Sequence, residues 1–221
     1  MRRRSAVALV GLCGLLAGCA STVTGTGQPA ANATKLGGGP SASASASPRA
    51  SASPDSGRQA LSCGGTKVSP AGAPYCFVLP AGFQDVSSSV TVDASIGQDK
   101  YRSAVAVGQR DLIIISVYEL RRNTDSISDD TLEGELKQVL RQLSRQGFTF
   151  DSTSADKTTV DGARSFGYHA RQGSSGLESD VYFVFRGLNE LQVNCQWKDK
   201  ESDIARGCKS VLDSLQFKSV K

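Results

Sequence analysis

The sequence predicts an α+β domain, an antiparallel β-sheet with helices packed on it, preceded by a disordered linker. Three observations point there. Residues 130–146 and 201–215 each carry apolar side chains at helical spacing on one face, and several runs between residues 75 and 198 alternate apolar with polar residues between Gly and Asp-Gly breaks. Helices and strands do not alternate one for one, which argues against a doubly wound nucleotide-binding fold.

The chain divides at residues 18 and 59 into a leader, a tether and a globular part. Residues 1–18 have the zones of an export signal: Arg2, Arg3 and Arg4, an apolar run over 6–17, and small residues Ala17 and Gly18 at the expected cut. The apolar run is shorter than the roughly 17–25 residues that a spanning helix needs, and no other run approaches it, so no membrane span is expected. Leu16-Ala17-Gly18-Cys19 resembles the lipobox of bacterial lipoproteins. That resemblance implies a diacylglyceryl group on the sulfur of Cys19, cleavage just before it, and Cys19 as the first mature residue. At ~0.8 kcal/mol per buried CH₂, two acyl chains anchor stably where one would not. The expected partner is then the lipid bilayer, and the expected location the outer face of the cell membrane. Cys13 lies in the apolar run without the small-residue pattern and is set aside.

Export changes the meaning of the charge. The precursor has 25 Lys and Arg against 21 Asp and Glu, a formal +4. Loss of Arg2, Arg3 and Arg4 brings the mature chain close to neutrality. A nucleic-acid partner would require clustered Lys and Arg and a strongly basic domain, so none is expected.

Residues 19–59 are Cys19 and a Ser/Ala/Gly/Pro-rich tether. The stretch "GGGPSASASASPRASASP" has no aromatic residue, and Lys35, Arg49, Asp55 and Arg58 are the charges between residues 20 and 59. Such a polymer cannot bury enough apolar surface to offset its ordering entropy. In the flexible regime its root-mean-square reach is on the order of 35 Å, enough to lift a folded head off the bilayer.

Residues 60–221 have globular composition and the length of one domain. "YCFVLP" at 75–80 reads as a short strand closed by proline. Residues 101–109 and 112–120 are β-rich runs with Gly108 beside the turn, read as a hairpin. The first helix, 130–146, begins with Asp130 and Glu133 in capping-box spacing and ends before Gly147, placed as the C′ residue. Leu132, Leu136, Val139, Leu140 and Leu143 form its apolar stripe. Asp161-Gly162 suits a type I′ hairpin turn, whose two central residues need positive φ. Residues 177–186 and 190–198 form another strand pair joined through Gly187 and Asn189, and Leu191, Val193, Cys195 and Trp197 share one face of the second. The last helix, 201–215, places Ile204, Cys208, Val211, Leu212 and Leu215 on its stripe.

Four cysteines remain in this part: Cys63, Cys76, Cys195 and Cys208. An even set in an exported chain usually pairs. Cys63–Cys76 and Cys195–Cys208 are the local pairings among three possible connectivities. The second would staple the last helix to the last strand. Each loop is worth about 3 kcal/mol in the chain-entropy account.

"YCFVLPAGF", "VDGARSFGY" and the terminal "CKSVLDSLQF" resemble the PsbP-like lipoproteins of actinobacteria over about residues 75–217. This resemblance implies an α/β/α sandwich around a central antiparallel sheet. It also implies a role in binding or assembling partner proteins without catalytic residues.

The residues themselves offer little chemistry. His169 is the sole histidine, so a Ser-His-Asp triad would have to use it. Its alternation with Phe166 and Tyr168 instead makes it a partly exposed strand residue facing away from the aromatics. One histidine and paired cysteines leave no zinc set, so no metal or other cofactor is expected. Asp129, Asp130, Glu133 and Glu135 crowd the start of the first helix, where the helix dipole favours negative charge. Trp197 reads as sheet packing, while Tyr118, Tyr168 and Tyr182 stay open between packing and binding. The exposed faces of 177–186 and 190–198 are the expected partner surface, with no specific binding residue assigned.

The sequence therefore favours a lipid-anchored, extracytoplasmic, non-enzymatic module that binds or helps assemble a partner protein of the envelope. The alternative is a carrier or sensor holding a small apolar ligand in a cavity of several hundred Å³ between sheet and helix.

Overall fold

The computed structural model describes residues 61–89, 99–173 and 175–218. The leader, Cys19 and the tether lie outside the described residues. Among those described, no helix is long and apolar enough to cross a membrane.

The elements run β1 (Lys67–Val68), β2 (Tyr75–Val78), β3 (Gln84–Asp85), β4 (Asp99–Ala106), β5 (Leu112–Glu119), α1 (Asp129–Arg145), β6 (Phe148–Phe150), β7 (Asp156–Val160), β8 (Ala163–Gln172), β9 (Leu177–Arg186), β10 (Asn189–Trp197), α2 (Glu201–Ser214) and β11 (Gln216–Phe217). An eight-stranded sheet has the order β3-β4-β5-β10-β9-β8-β6, with β7 also on β8. A small sheet, β1-β2-β11, stands apart from it. Every strand pair is antiparallel.

Two cores flank the large sheet. On one face the α1 stripe Leu132, Leu136 and Leu140 packs on Phe166, Tyr168, Val181, Phe183 and Phe185. On the other, Ile204, Cys208 and Val211 of α2 pack on Ile113, Ile115, Leu191, Val193 and Cys195, together with Tyr75, Phe77 and Phe217 of the small sheet. The α+β class and the sandwich arrangement are thus both present. Period-two alternation assigns the faces: in β9, Phe183 and Phe185 turn to α1 while Val184 turns to α2. Gly207 lets α2 come close, because a Cβ there would overlap the Phe83 ring and stand 3.2 Å from Ile113.

The Asp161-Gly162 turn has φ of 50° and 73°, both positive as a type I′ turn requires, and it joins Val160 to Ala163 in register. Asp161 also reaches across the molecule. Its Oδ2 accepts the Phe217 N–H at 2.9 Å and pairs with Arg186 at 3.1 Å, tying the hairpin tip to β11.

The cap of α1 differs from expectation. Ser128, extended at φ −67° and ψ 153°, is the N-cap, and its side chain accepts the Thr131 N–H at 3.3 Å. The capping-box partner Glu133 turns instead to Lys157 of β7 at 3.0 Å. Asp129 likewise pairs with Arg164 of β8 at 2.9 Å, and Arg122 pairs with Glu135. The acidic start of α1 is therefore bound to the sheet as well as favoured by the helix dipole.

The N-terminus of α2 is held from outside the helix. Lys200 caps it with no side-chain bond. Asp111, from the β4–β5 turn, accepts the backbone N–H groups of Lys198, Asp199 and Lys200 on one oxygen, each at 2.9 Å.

Candidate functional site

Cys63 is joined to Cys76 and Cys195 to Cys208, with Cα–Cα separations of 6.1 and 5.9 Å. The first ties the start of the described chain to β2. The second lies in the core on the α2 side, at the floor of the molecule's charged cleft.

That cleft, of about 420 Å³, opens between α2 and strands β7 and β9. It exists because α2 covers β10 and β5 but leaves the neighbouring strands bare on that face. Tyr182, Leu212, Ala205 and Cys208 supply its apolar part, while Thr158, Asp180, Lys209 and Asp213 supply polar walls. Burial raises the Tyr182 hydroxyl above its ordinary value, aided by the charges of Asp180 and Asp156. Lys209 and Asp213 pair at 2.6 Å, yet are 76% and 63% exposed.

Asp180 links the cleft to His169. Their side chains meet at 2.8 Å through Nδ1, in the register pair His169↔Asp180. Nε2 of the same ring lies 3.4 Å from Glu178 and 3.9 Å from Asp151. Arg171 fills the space between those two carboxylates, at 2.5 Å from Asp151 and 3.4 Å from Glu178. Trp197 closes the cluster, with its ring centroid 5.6 Å from that of His169. His169 does face away from Phe166 and Tyr168, but it is anchored rather than idle. Its neighbours are carboxylates and an indole, and no hydroxyl or thiol bonds it among the described residues. Nor do the described residues hold a group of three or more His, Cys, Asp or Glu arranged for a metal ion.

The other sequence candidates scatter. Tyr168 lies under α1 with its hydroxyl pushed up to about 12 by burial, reinforced by the Glu133 charge. Trp197 belongs to the α2-side core. The expectation that 177–186 and 190–198 present exposed faces needs correction. They are central strands, and Val181, Phe183, Phe185, Leu191, Val193 and Cys195 are covered by the two helical layers. Partly exposed on β9 are Leu177, Glu178, Asp180, Tyr182 and Arg186, of which Asp180 and Tyr182 line the cleft. Sequence reasoning missed Arg171, Asp151, Lys209 and Asp213. The one available signal was the Glu178-x-Asp180 alternation opposite His169 and Arg171.

No family model matches the chain, and no curated protein does. Among solved structures, cyanobacterial PsbP (CyanoP) from Synechocystis sp. PCC 6803 is similar with a TM-score of 0.49 at 11% identity, over 69% of this chain and 91% of that one. A protein from Bacteroides thetaiotaomicron VPI-5482 is similar with a TM-score of 0.40 at 11% identity, over 66% of this chain and 46% of that one. Neither likeness bears on function.

Proposed function

We propose that the chain is an exported lipoprotein, anchored through acylated Cys19, whose folded head is a non-enzymatic module that binds or helps assemble a protein of the cell envelope. The lipobox-like tetrapeptide and the long polar tether support the anchor. Two disulfides in the folded part suit an oxidising, extracytoplasmic compartment.

The observation that carries the docking reading is the rim of the α2 cleft. Asp180, Lys209 and Asp213 stand around its partly apolar floor, Lys209 and Asp213 paired and solvated, and through His169 Asp180 joins the half-exposed charges Glu178, Asp151 and Arg171. Exposed pairs of this kind contribute roughly 0–1 kcal/mol to the fold, so a partner can exchange them for its own charges at little loss of stability. A carrier of small apolar ligands fits less well, because the space between sheet and helix is open and its walls carry charge.

The test is crosslinking of the lipidated protein in cells, followed by purification and mass spectrometry, with Cys19→Ala as control. One envelope protein recovered in near-stoichiometric amount, lost with Cys19→Ala and depleted by Asp180→Lys with Lys209→Glu, is the expected result. Recovery unchanged by the charge reversals would reject the cleft as the docking surface. An unmodified Cys19 at the mature N-terminus would reject the anchor.

A further inference from the structure

Beyond β8 the large sheet ends in two short strands that share its outer side, β6 along residues 170–172 and β7 along residues 163–167. Among the described residues β7 pairs with β8 alone, and Asp156, Lys157, Thr158 and Thr159 are all exposed. The turn decides which backbone groups point outward. In a two-residue hairpin the flanking pair, here Val160↔Ala163, exchanges both hydrogen bonds, and bonded and unbonded pairs alternate from there. Val160, Thr158 and Asp156 therefore bond β8, while the N–H and C=O groups of Thr159 and Lys157 point away from the sheet.

Edge strands are ordinarily guarded by a proline, a bulge or an outstanding charge. β7 has no proline, and its register with β8 runs unbroken. Its one lysine, Lys157, is drawn to Glu133 of α1 at 3.0 Å. The far edge of the sheet is treated differently. There Val86 donates its N–H to the Ala104 carbonyl at 2.9 Å, and the Ser87 hydroxyl accepts the Ala104 N–H at 3.1 Å.

An open edge by itself accepts any strand, but this one borders the α2 cleft. Thr158, Thr159 and Val160 line the cleft from β7, facing Lys209 and Leu212 of α2. The charge there is one-sided. Lys209 is taken by Asp213 at 2.6 Å, Asp180 meets His169 but no Lys or Arg, and Asp156 has no ion pair among the described residues. Register sets Asp156, Gly167 and Tyr182 in one line across β7, β8 and β9. The Tyr182 ring lies against Gly167, where a Cβ would stand 3.2 Å from it. Two carboxylates beside an aromatic ring suit a guanidinium, which forks onto carboxylates and stacks on rings.

We propose that β7 is a strand-addition site, taking an extended segment of a partner protein antiparallel to β7, with an arginine opposite Asp156 and an apolar residue opposite Val160. The proposal rests on the docking reading of the α2 cleft and names the shape and charge of what docks. Every second side chain of the added strand falls on the cleft face. Main-chain bonds to Thr159 and Lys157 supply attachment, and the alternate side chains supply choice.

The test titrates the full chain, in detergent, with the acetylated heptapeptide Ser-Val-Thr-Val-Thr-Arg-Ser and follows amide chemical shifts. Saturable binding is expected, with shifts over β7 and the cleft. Glu in place of the peptide's Arg should weaken it at least about fivefold, through like charge opposite Asp156. Methylating the backbone nitrogens of the two threonines, which face Thr159 and Lys157, should abolish binding. Methylating those of the two valines, which face away from β7, should leave it intact. Thr159→Pro removes an outward N–H and no bond to β8, so the protein should stay folded and lose the peptide. No binding of the unmodified peptide would overturn the proposal. Binding at the cleft that is indifferent to which nitrogens are methylated would overturn strand addition while leaving the docking reading in place. A dimer of the full chain that Thr159→Pro dissolves would overturn it in favour of a second copy on β7.

Discussion

Removing the carboxylate of Asp111 tests how the fold holds its second helix. Asp111 is 4% exposed, and a single oxygen receives the N–H groups of Lys198, Asp199 and Lys200. These donors precede α2, whose own N-cap contributes no side-chain bond, so the turn between β4 and β5 does the capping. Bonds to a charged acceptor are worth about 1.5–3 kcal/mol each. Three sharing one oxygen do not add fully, which puts Asp111→Ala at roughly 3–5 kcal/mol and a melting temperature lower by on the order of 10 °C. Asp111→Asn keeps an acceptor but loses the charge, and should cost about half as much.

The pH dependence follows from the same contacts. Burial works to raise the Asp111 carboxyl, but the three backbone N–H bonds outweigh it, and the charge of Lys200 adds to them, so it titrates below its ordinary value. A depressed carboxyl contributes stability that is present above its unfolded value, about 3.9, and is lost as pH falls through its folded value. The difference between wild type and Asp111→Asn in urea midpoint should therefore be full at pH 7 and shrink as pH falls below 4. Equal midpoints at pH 7, or a gap that widens with acid, would refute the reasoning.

Gly207→Ala should destabilise by about 1–3 kcal/mol through overpacking, because its Cβ overlaps the Phe83 ring, despite the roughly 1 kcal/mol helix-propensity gain. Adding Phe83→Leu should recover much of the loss in a urea titration. Burial pushes the Glu190 carboxyl up to about 7, so the folded state holds a proton that the unfolded state releases near 4.3, and stability falls as pH rises between those values, by up to roughly 3 kcal/mol. Glu190→Gln should flatten that slope in denaturation midpoints taken from pH 5 to 8. The denatured, unreduced mature chain should show no free thiol from Cys63, Cys76, Cys195 or Cys208, and Cys195→Ser with Cys208→Ser should lower stability by about 3 kcal/mol.

Much of the fold was legible because its strongest signals are periodic. Leu132, Leu136 and Leu140 recur at helical spacing and are buried together under one helix, and Leu191, Val193 and Cys195 recur at strand spacing and are buried together under the other. Turn chemistry was equally direct at Asp161-Gly162, where backbone strain leaves few alternatives. The missing elements were those with no period to show. β1, β3 and β11 are two residues each, and β6 is three. Their place is fixed by partners far along the chain, such as Gln216↔Cys76. Asp130 and Glu133 match the capping pattern by spacing, but Ser128 supplies the cap, and Glu133 pairs with Lys157, brought in by the β7–β8 hairpin, and with Lys137 one turn along α1.

The candidate sites were harder to read, for a reason visible in β10 itself. In "NELQVNCQW" the apolar alternation announces a face to be buried, and the polar residues between read as a solvated face by default. That default holds for an edge strand or a sheet with one open side. It fails here: β10 lies between β5 and β9, and Gln192 and Asn194 are 4% and 9% exposed. Strand order depends on β10 returning to pair with β5 after α1, β6, β7, β8 and β9, a long-range pairing that no local window contains. His169 shows the same dependence: facing direction came from alternation, while Asp180, Glu178, Asp151 and Trp197 came from register across three strands and a loop. Where function depends on which strands are neighbours, the informative unit is the cross-strand pair, and a residue's role changes with its partner before it changes with its own chemistry.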